Sequence, residues 1–311
     1  MCGGITGRAE TREVWRLGLE RLRWGRLPDL TVARRDHACC VVRGGTLVAL
    51  GGRGDHITPG GGPDSITASV EVQDTRAAGD AALSRELPRL SCGPFSEGSA
   101  LAVDESESES GQVLLLGGLF ETPGGPRRFM VTNKVWSVDL ATGLCTPQPP
   151  LRWERYGFAA ARLPGGRVVC AGGDHLGWAA SGRSVEMWEP TRGAWRDLPE
   201  MSTGHFDAAG CFLSDGRFAI LGGSSDDNPD KEPVSSCEAL ALDGTERWEP
   251  MPPMRQARRG FAAAAVGGCV LVAGGTQGLR SVEVYEEAAG VWRRPKCDLP
   301  RALCWMGSAL L

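Results

Sequence analysis

The chain has 311 residues, among them 44 Gly, 20 Pro and 11 Cys, with 41% hydrophobic residues and a formal net charge of -4. Gly at about double its usual share of roughly 7% disfavours a helical protein, and the apolar content excludes a disordered tail, a collagen or a coiled coil. The mildly acidic balance, with no run of Lys or Arg, supplies no field for nucleic acid, and no stretch of about 18 apolar residues offers a membrane span.

The predicted elements recur along the whole chain. Met1-Cys2-Gly3-Gly4 reads as the tail of an apolar strand ending in a Gly doublet. Further copies end at Gly51-Gly52, Gly117-Gly118, Gly172-Gly173, Gly222-Gly223 and Gly274-Gly275. From Gly4 the intervals are 48, 66, 55, 50 and 52 residues, longest where loops are inserted.

Each doublet strand follows a strand of small apolar residues, as in Asp36 to Val42, Tyr156 to Ala161 and Gly260 to Val266. An alternating strand comes after it, as in Ser69 to Asp74, Lys134 to Asp139, Ser184 to Glu189 and Ser281 to Glu286. A fourth short strand carries Trp24, Trp195, Trp248 or Trp292, with Leu144-Cys145 at that place after Gly117-Gly118. Four short strands per unit, joined by Gly and Pro turns, are what radially packed sheets require.

These residues resemble the kelch family, most cleanly at Gly274-Gly275, Tyr285-Glu286 and Trp292. The resemblance implies an all-β fold: a six-bladed kelch-type β-propeller of four antiparallel strands per blade, one domain over 1–311. The last segment, Arg301 to Leu311, reads as an innermost strand with no doublet strand after it, whereas the chain begins at a doublet with none before it. The C-terminal strand is therefore expected to join the N-terminal blade, beside strands at Arg12 to Leu17 and Arg21 to Leu27, which removes an open sheet edge.

Strand parity places the links after second and fourth strands on one rim, with the long inserts Arg53 to Ala68, Leu119 to Asn133, Asp174 to Arg183 and Ser224 to Ser236. The links leading into the innermost strands on that rim carry Arg34, Arg35, Arg155, Arg258, Arg259 and Arg301, with Phe95 and His205 near the same phase in the two remaining copies. Guanidinium groups around a channel mouth suit carboxylates, which they grip bidentately. The candidate binding residues are Arg34, Arg35, Arg155, His205, Arg259 and Arg301, and the expected partner is a protein or an acidic peptide segment. The competing structural reading pairs these Arg with Glu71, Glu186 and Glu283 of the alternating strands.

The kelch resemblance implies a non-enzymatic interaction scaffold or substrate-recognition propeller, a role that includes adaptors in ubiquitin ligation. The alternative is a small-molecule enzyme of the kelch sugar-mutarotase or oxidase type with a site in the central channel, for which no catalytic motif is matched. His37, His56, His175 and His205 have no ligand spacing, so no metal and no cofactor is expected. The cysteines are odd in number and lack a CxxC pair, which reads as buried thiols in a reducing compartment, cytoplasmic or nuclear, in a monomer. Arg53-Gly54-Asp55 is a chance tripeptide, and the acidic run Asp104 to Ser110 is a solvated turn open to phosphorylation.

Overall fold

The computed structural model of the protein describes every residue except 8, 55–64, 77–83, 104–110, 122–128, 175–181, 226–231, 277 and 311. His56, His175, Asp55, the acidic run from Asp104 to Ser110 and much of the long inserts lie outside the described residues. The described regular structure is β-strand with two short 3-10 turns, and no described helix is long and apolar enough to cross a membrane.

Two compact units are present, one of Met1–Pro150 with Trp305–Leu311 and one of Leu151–Cys304. In the first, Ala38–Val42, Thr46–Leu50, Val70–Asp74 and Arg85–Leu87 pair in chain order as an antiparallel sheet. Ser99–Ala102, Gln112–Leu116, Val135–Asp139 and Cys145–Gln148 form the next. Val14–Gly18 pairs with Arg23–Leu27, and Cys2 bridges Val14 on one side and Gly307 on the other. The second unit holds three such sheets, beginning with the strands Ala159–Arg162, Ala209–Phe212 and Ala262–Val266.

The reason for this architecture is visible in residue size. Successive first strands lie side by side within each unit, Ala38–Val42 beside Ser99–Ala102, and Ala209–Phe212 between Ala159–Arg162 and Ala262–Val266. Ala, Gly and Cys allow that approach: a Cβ on Gly210 would sit 3.0 Å from the Cβ of Ala159. The second strand Phe218–Leu221 is buried on both faces, with Phe218, Ala219, Ile220 and Leu221 each 0% exposed. The apolar cores lie between successive sheets, as where Val169 and Val185 meet Phe218 and Leu240.

Trp side chains of the fourth strands tie one repeat to the preceding one. The Nε1–H of Trp248 donates to the carbonyl of Pro199, and that of Trp292 to the carbonyl of Pro252, both at 2.8 Å. The backbone carbonyl after the fourth strand is the acceptor that the indole needs, buried at Trp292 and partly buried at Trp248.

The Gly doublets are a backbone requirement. All twelve have positive φ, for example Gly172 at 70° and Gly173 at 93°. A Cβ on Gly172 would stand 2.3 Å from the carbonyl oxygen of His205. That contact exists because the next N–H, of Gly173, donates to the same carbonyl at 2.8 Å, and Gly52 and Gly223 do likewise to Phe95 and Arg258, each at 2.7 Å. The doublet thus docks the following repeat.

Candidate functional site

Four residues before each described first strand, the chain places Arg34, Phe95, Arg155, His205 and Arg258, all 0–1% exposed. Three of them build the same buried ion pair. Nη1 of Arg155 donates to the carbonyl of Gly172 at 2.7 Å, and Nη2 donates to Ser184 Oγ at 3.0 Å and Glu186 Oε1 at 2.8 Å. Arg258 repeats this with Gly274, Ser281 and Glu283, and Arg34 with Gly51, Ser69 and Glu71. Each Glu turns its carboxylate back to the same link: Glu186 accepts from the N–H of Arg152, and Glu283 from that of Arg255, both at 2.7 Å.

This unit fastens the link that enters a sheet to the first Gly and the third strand of that sheet. Burial pushes the Arg34 guanidinium down from its ordinary value against the opposing pull of Glu71. Burial likewise raises the Glu186 carboxyl, with Arg155 pulling it the other way. Such an intact pair adds little net stability, but removing one partner leaves the other charge buried and uncompensated.

His205 fills the same place with different chemistry. Its Nδ1 lies 2.7 Å from the carbonyl of Gly222, and its Nε2 lies 3.6 Å from Glu238. Burial alone would raise Glu238, but the neighbouring His205 imidazole and the hydrogen bonds from Ser202 outweigh it and hold the carboxyl below its ordinary value. A carboxyl depressed in the folded state contributes stability above its unfolded pKa and loses it as pH falls through the folded one. Glu238→Gln is therefore expected to flatten the acid limb of stability below about pH 4.3, followed as the urea midpoint against pH.

Where the base is replaced by Phe95, the acid is replaced as well. The third-strand position held by Glu71, Glu186 and Glu283 is Trp136 there, and Trp136 packs against the apolar cluster containing Phe95. A charged pair has been exchanged as a unit for an apolar one.

These placements correct the sequence expectation at three residues and shift a fourth. Arg34, Arg155 and His205 are buried and engaged inside their own sheets, so a partner at the rim cannot touch them. Arg301 is exposed but out of phase: the carbonyl that receives the N–H of Gly275 belongs to Leu303, which is buried at 2% exposure. His37 also differs from His205 in register, standing three residues beyond Arg34.

The residue after the buried one is the variable position. Arg35, Tyr156, Phe206 and Arg259 are partly exposed there, and Ser96 is buried. In the first unit Arg35 pairs with Glu10 and Asp36, at 3.1 and 3.0 Å, and Arg53 pairs with Glu97. Arg53 itself follows Gly51-Gly52, where it opens the rim insert Arg53 to Ala68. In the second unit Tyr156 stacks edge-on against Phe206 with ring centroids 5.3 Å apart, and its hydroxyl lies 3.2 Å from Asp174 Oδ2. Arg259 donates to Ser224 Oγ at 3.2 Å.

One residue further, the backbone turns left-handed. Asp36, Glu97, Asp207 and Trp305 have φ of 53°, 53°, 52° and 50°, joined by Gly157 and Gly260 at 60° and 57°. Their amides link in series: Asp36 N–H donates to Trp305, and Glu97 N–H to Asp36, in the first unit. Asp207 N–H donates to Gly157, and Gly260 N–H to Asp207, in the second, at 2.8–3.1 Å. Counting back from the first strands would have found the buried and variable positions, but nothing local in the sequence marks Glu97 or Trp305 as left-handed.

Among the described residues no group of three His, Cys, Asp or Glu is arranged to hold a metal ion. Residues 257–296 match the kelch motif family. An F-box/kelch-repeat protein of Arabidopsis thaliana is 28% identical over 152 residues, 41% of this chain and 40% of its own length. F-box/kelch-repeat protein SKIP30 of the same plant is 27% identical over 116 residues, 36% of this chain and 32% of its own. The matched stretch therefore spans well under half of these curated relatives. The solved structure of YjhT is similar in fold with a TM-score of 0.69, covering 91% of this chain and 89% of that chain at 14% identity. Residues 257–296 thus carry a kelch motif, the chain is similar in sequence to kelch-repeat proteins, and it shares its fold with YjhT.

Proposed function

We propose that the chain is one six-bladed propeller, closed where Gly307 pairs with Cys2, and that it acts as a protein-interaction scaffold rather than an enzyme. The observation that carries the functional reading is the variable position: chemically different side chains, Arg35, Tyr156, Phe206 and Arg259, stand partly exposed at one repeated site over a buried, ion-paired layer. A fixed backbone with varied side chains suits recognition, and Arg and Tyr are the types enriched where binding energy concentrates. Arg35, Arg259 and the exposed Arg301 favour an acidic segment of a partner protein, with Asp36 and Glu97 limiting how much negative charge the Arg35 side accepts. The F-box/kelch relatives support extending this to substrate recognition in ubiquitin ligation in the cytoplasm or nucleus.

The test compares affinity capture by wild type with an Arg35→Ala, Arg259→Ala double variant and with Arg192→Ala, an exposed control. The double variant is expected to lose about tenfold or more of a captured partner at unchanged thermal stability, with the control unaffected. Equal capture by a folded double variant overturns the Arg-bearing rim.

A further inference from the structure

One cluster stands apart from that rim. Cys2 bridges Gly307 through reciprocal N–H to carbonyl bonds of 3.0 Å, and its Sγ lies 3.2 Å from His37 Nε2 and 3.6 Å from Cys39 Sγ. Cys39 belongs to a different strand, Ala38–Val42. Cys2 and His37 are 1% and 6% exposed, whereas Cys39 is only partly buried, so the cluster is not sealed from solvent. The packing is close enough to require Gly307: a Cβ there would lie 2.5 Å from the Cβ of Cys39 and 2.6 Å from His37 Nε2.

We propose that Cys2, His37 and Cys39 form a peroxide-oxidisable site, in which Cys2 is attacked first, His37 handles its proton, and Cys39 resolves the product as a Cys2–Cys39 disulfide. The imidazole is suited to this. Its Nε2 stands 3.2 Å from the Cys2 sulfur, placed to take the thiol proton, while Nδ1 is buried without a hydrogen-bond partner. The Cys39 thiol, and after it the charge and hydrogen bond of His37, hold Cys2 well below the ordinary thiol value despite burial. Cys40 is the internal contrast: it has no such partners, and burial pushes it up to about 12. A thiolate beside a hydrogen-bond donor and a second thiol is the arrangement that oxidation selects.

The chemistry balances with hydrogen peroxide as the oxidant. The Cys2 thiol gives its proton to His37, and the thiolate attacks one peroxide oxygen. The O–O bond breaks, and the departing hydroxide takes the proton from His37 as water, leaving a sulfenic acid on Cys2. The Cys39 sulfur then attacks the Cys2 sulfur, the S–O bond breaks, and hydroxide leaves with the Cys39 proton as a second water. Peroxide gains the two electrons that the two thiols lose. The sulfurs must close from 3.6 Å to about 2.05 Å, within reach of side-chain rotation. The product ties Cys2, itself bridged to Val14 and Gly307, covalently to the strand Ala38–Val42.

The test treats the folded full chain with hydrogen peroxide, alkylates remaining thiols under denaturing conditions and maps peptides by mass spectrometry. Fragment ions separate Cys39 from its neighbour Cys40. A Cys2–Cys39 linkage is expected to form about tenfold or more faster than Cys40 or Cys170 is lost. Cys39→Ser is expected to leave a dimedone-reactive sulfenic acid on Cys2. His37→Gln is expected to slow the first step about tenfold or more at neutral pH and to steepen its pH dependence. Oxidation that spares Cys2 and Cys39, or joins them no faster than Cys40 reacts, overturns the site. Equal rates and pH profiles in folded His37→Gln overturn the role of the imidazole. Should either variant fail to fold, the wild-type mapping decides alone.

Discussion

Arg155→Ala is expected to destabilise the protein by about 3–5 kcal/mol, the usual result of removing one partner of a buried ion pair. The guanidinium supplies bonds to Gly172, Ser184 and Glu186 at once, and its loss leaves the Glu186 carboxylate buried with only the backbone of Arg152 and its surroundings for support. Arg155 Nε has no hydrogen-bond partner, so even the intact pair leaves one buried donor unmet. The chain already contains the remedy. Arg155→Phe with Glu186→Trp would copy the Phe95 and Trp136 exchange, and this double variant is expected to lose about 2 kcal/mol less than Arg155→Ala. Urea unfolding of the single and double variants reads both numbers. A loss near zero for Arg155→Ala, or a double variant worse than the single, would remove the structural role assigned to the pair.

The second large effect is expected at a doublet. Gly172→Ala combines a positive φ of 70° with a Cβ 2.3 Å from the carbonyl of His205, which cannot retreat without breaking its bond from Gly173. Left-handed strain and the clash together give about 3 kcal/mol or more. Gly165 separates the two causes, since its φ is 74° but nothing lies within 4 Å of an added Cβ. Gly165→Ala is therefore expected to cost only about 1–2 kcal/mol. Thermal or urea unfolding of the two variants side by side measures the docking contact as their difference, and equal losses would mean that the doublet is needed for its conformation alone.

Much of the fold was legible because its determinants are local and repeated. The doublet, the run of Ala residues before it and the alternating strand after it each obey a simple period, and each recurs often enough to outweigh any single coincidence. The site was less legible because burial depends on partners far along the chain. Arg34 and Arg35 are adjacent and chemically identical, yet one is sealed against Glu71 and the other reaches the surface. Only the pairing of Arg with third-strand Glu, noticed as a competing reading, separates them. Arg301 misled for a similar reason: its charge matched the pattern, while the register belonged to Leu303. The Cys2, His37 and Cys39 cluster draws on residues 35 and 37 positions apart and has no motif that could announce it.

The left-handed residues have a further consequence for recognition. Because their amides are already bound in series within each unit, the backbone beneath Arg35 or Arg259 is set before any partner arrives. On the proposed binding role, docking there has little main-chain freedom left to remove, so the ordering cost falls on a few side-chain torsions. Such a preorganised surface can change its specificity by single substitutions at the variable position, with the scaffold beneath them left as it is.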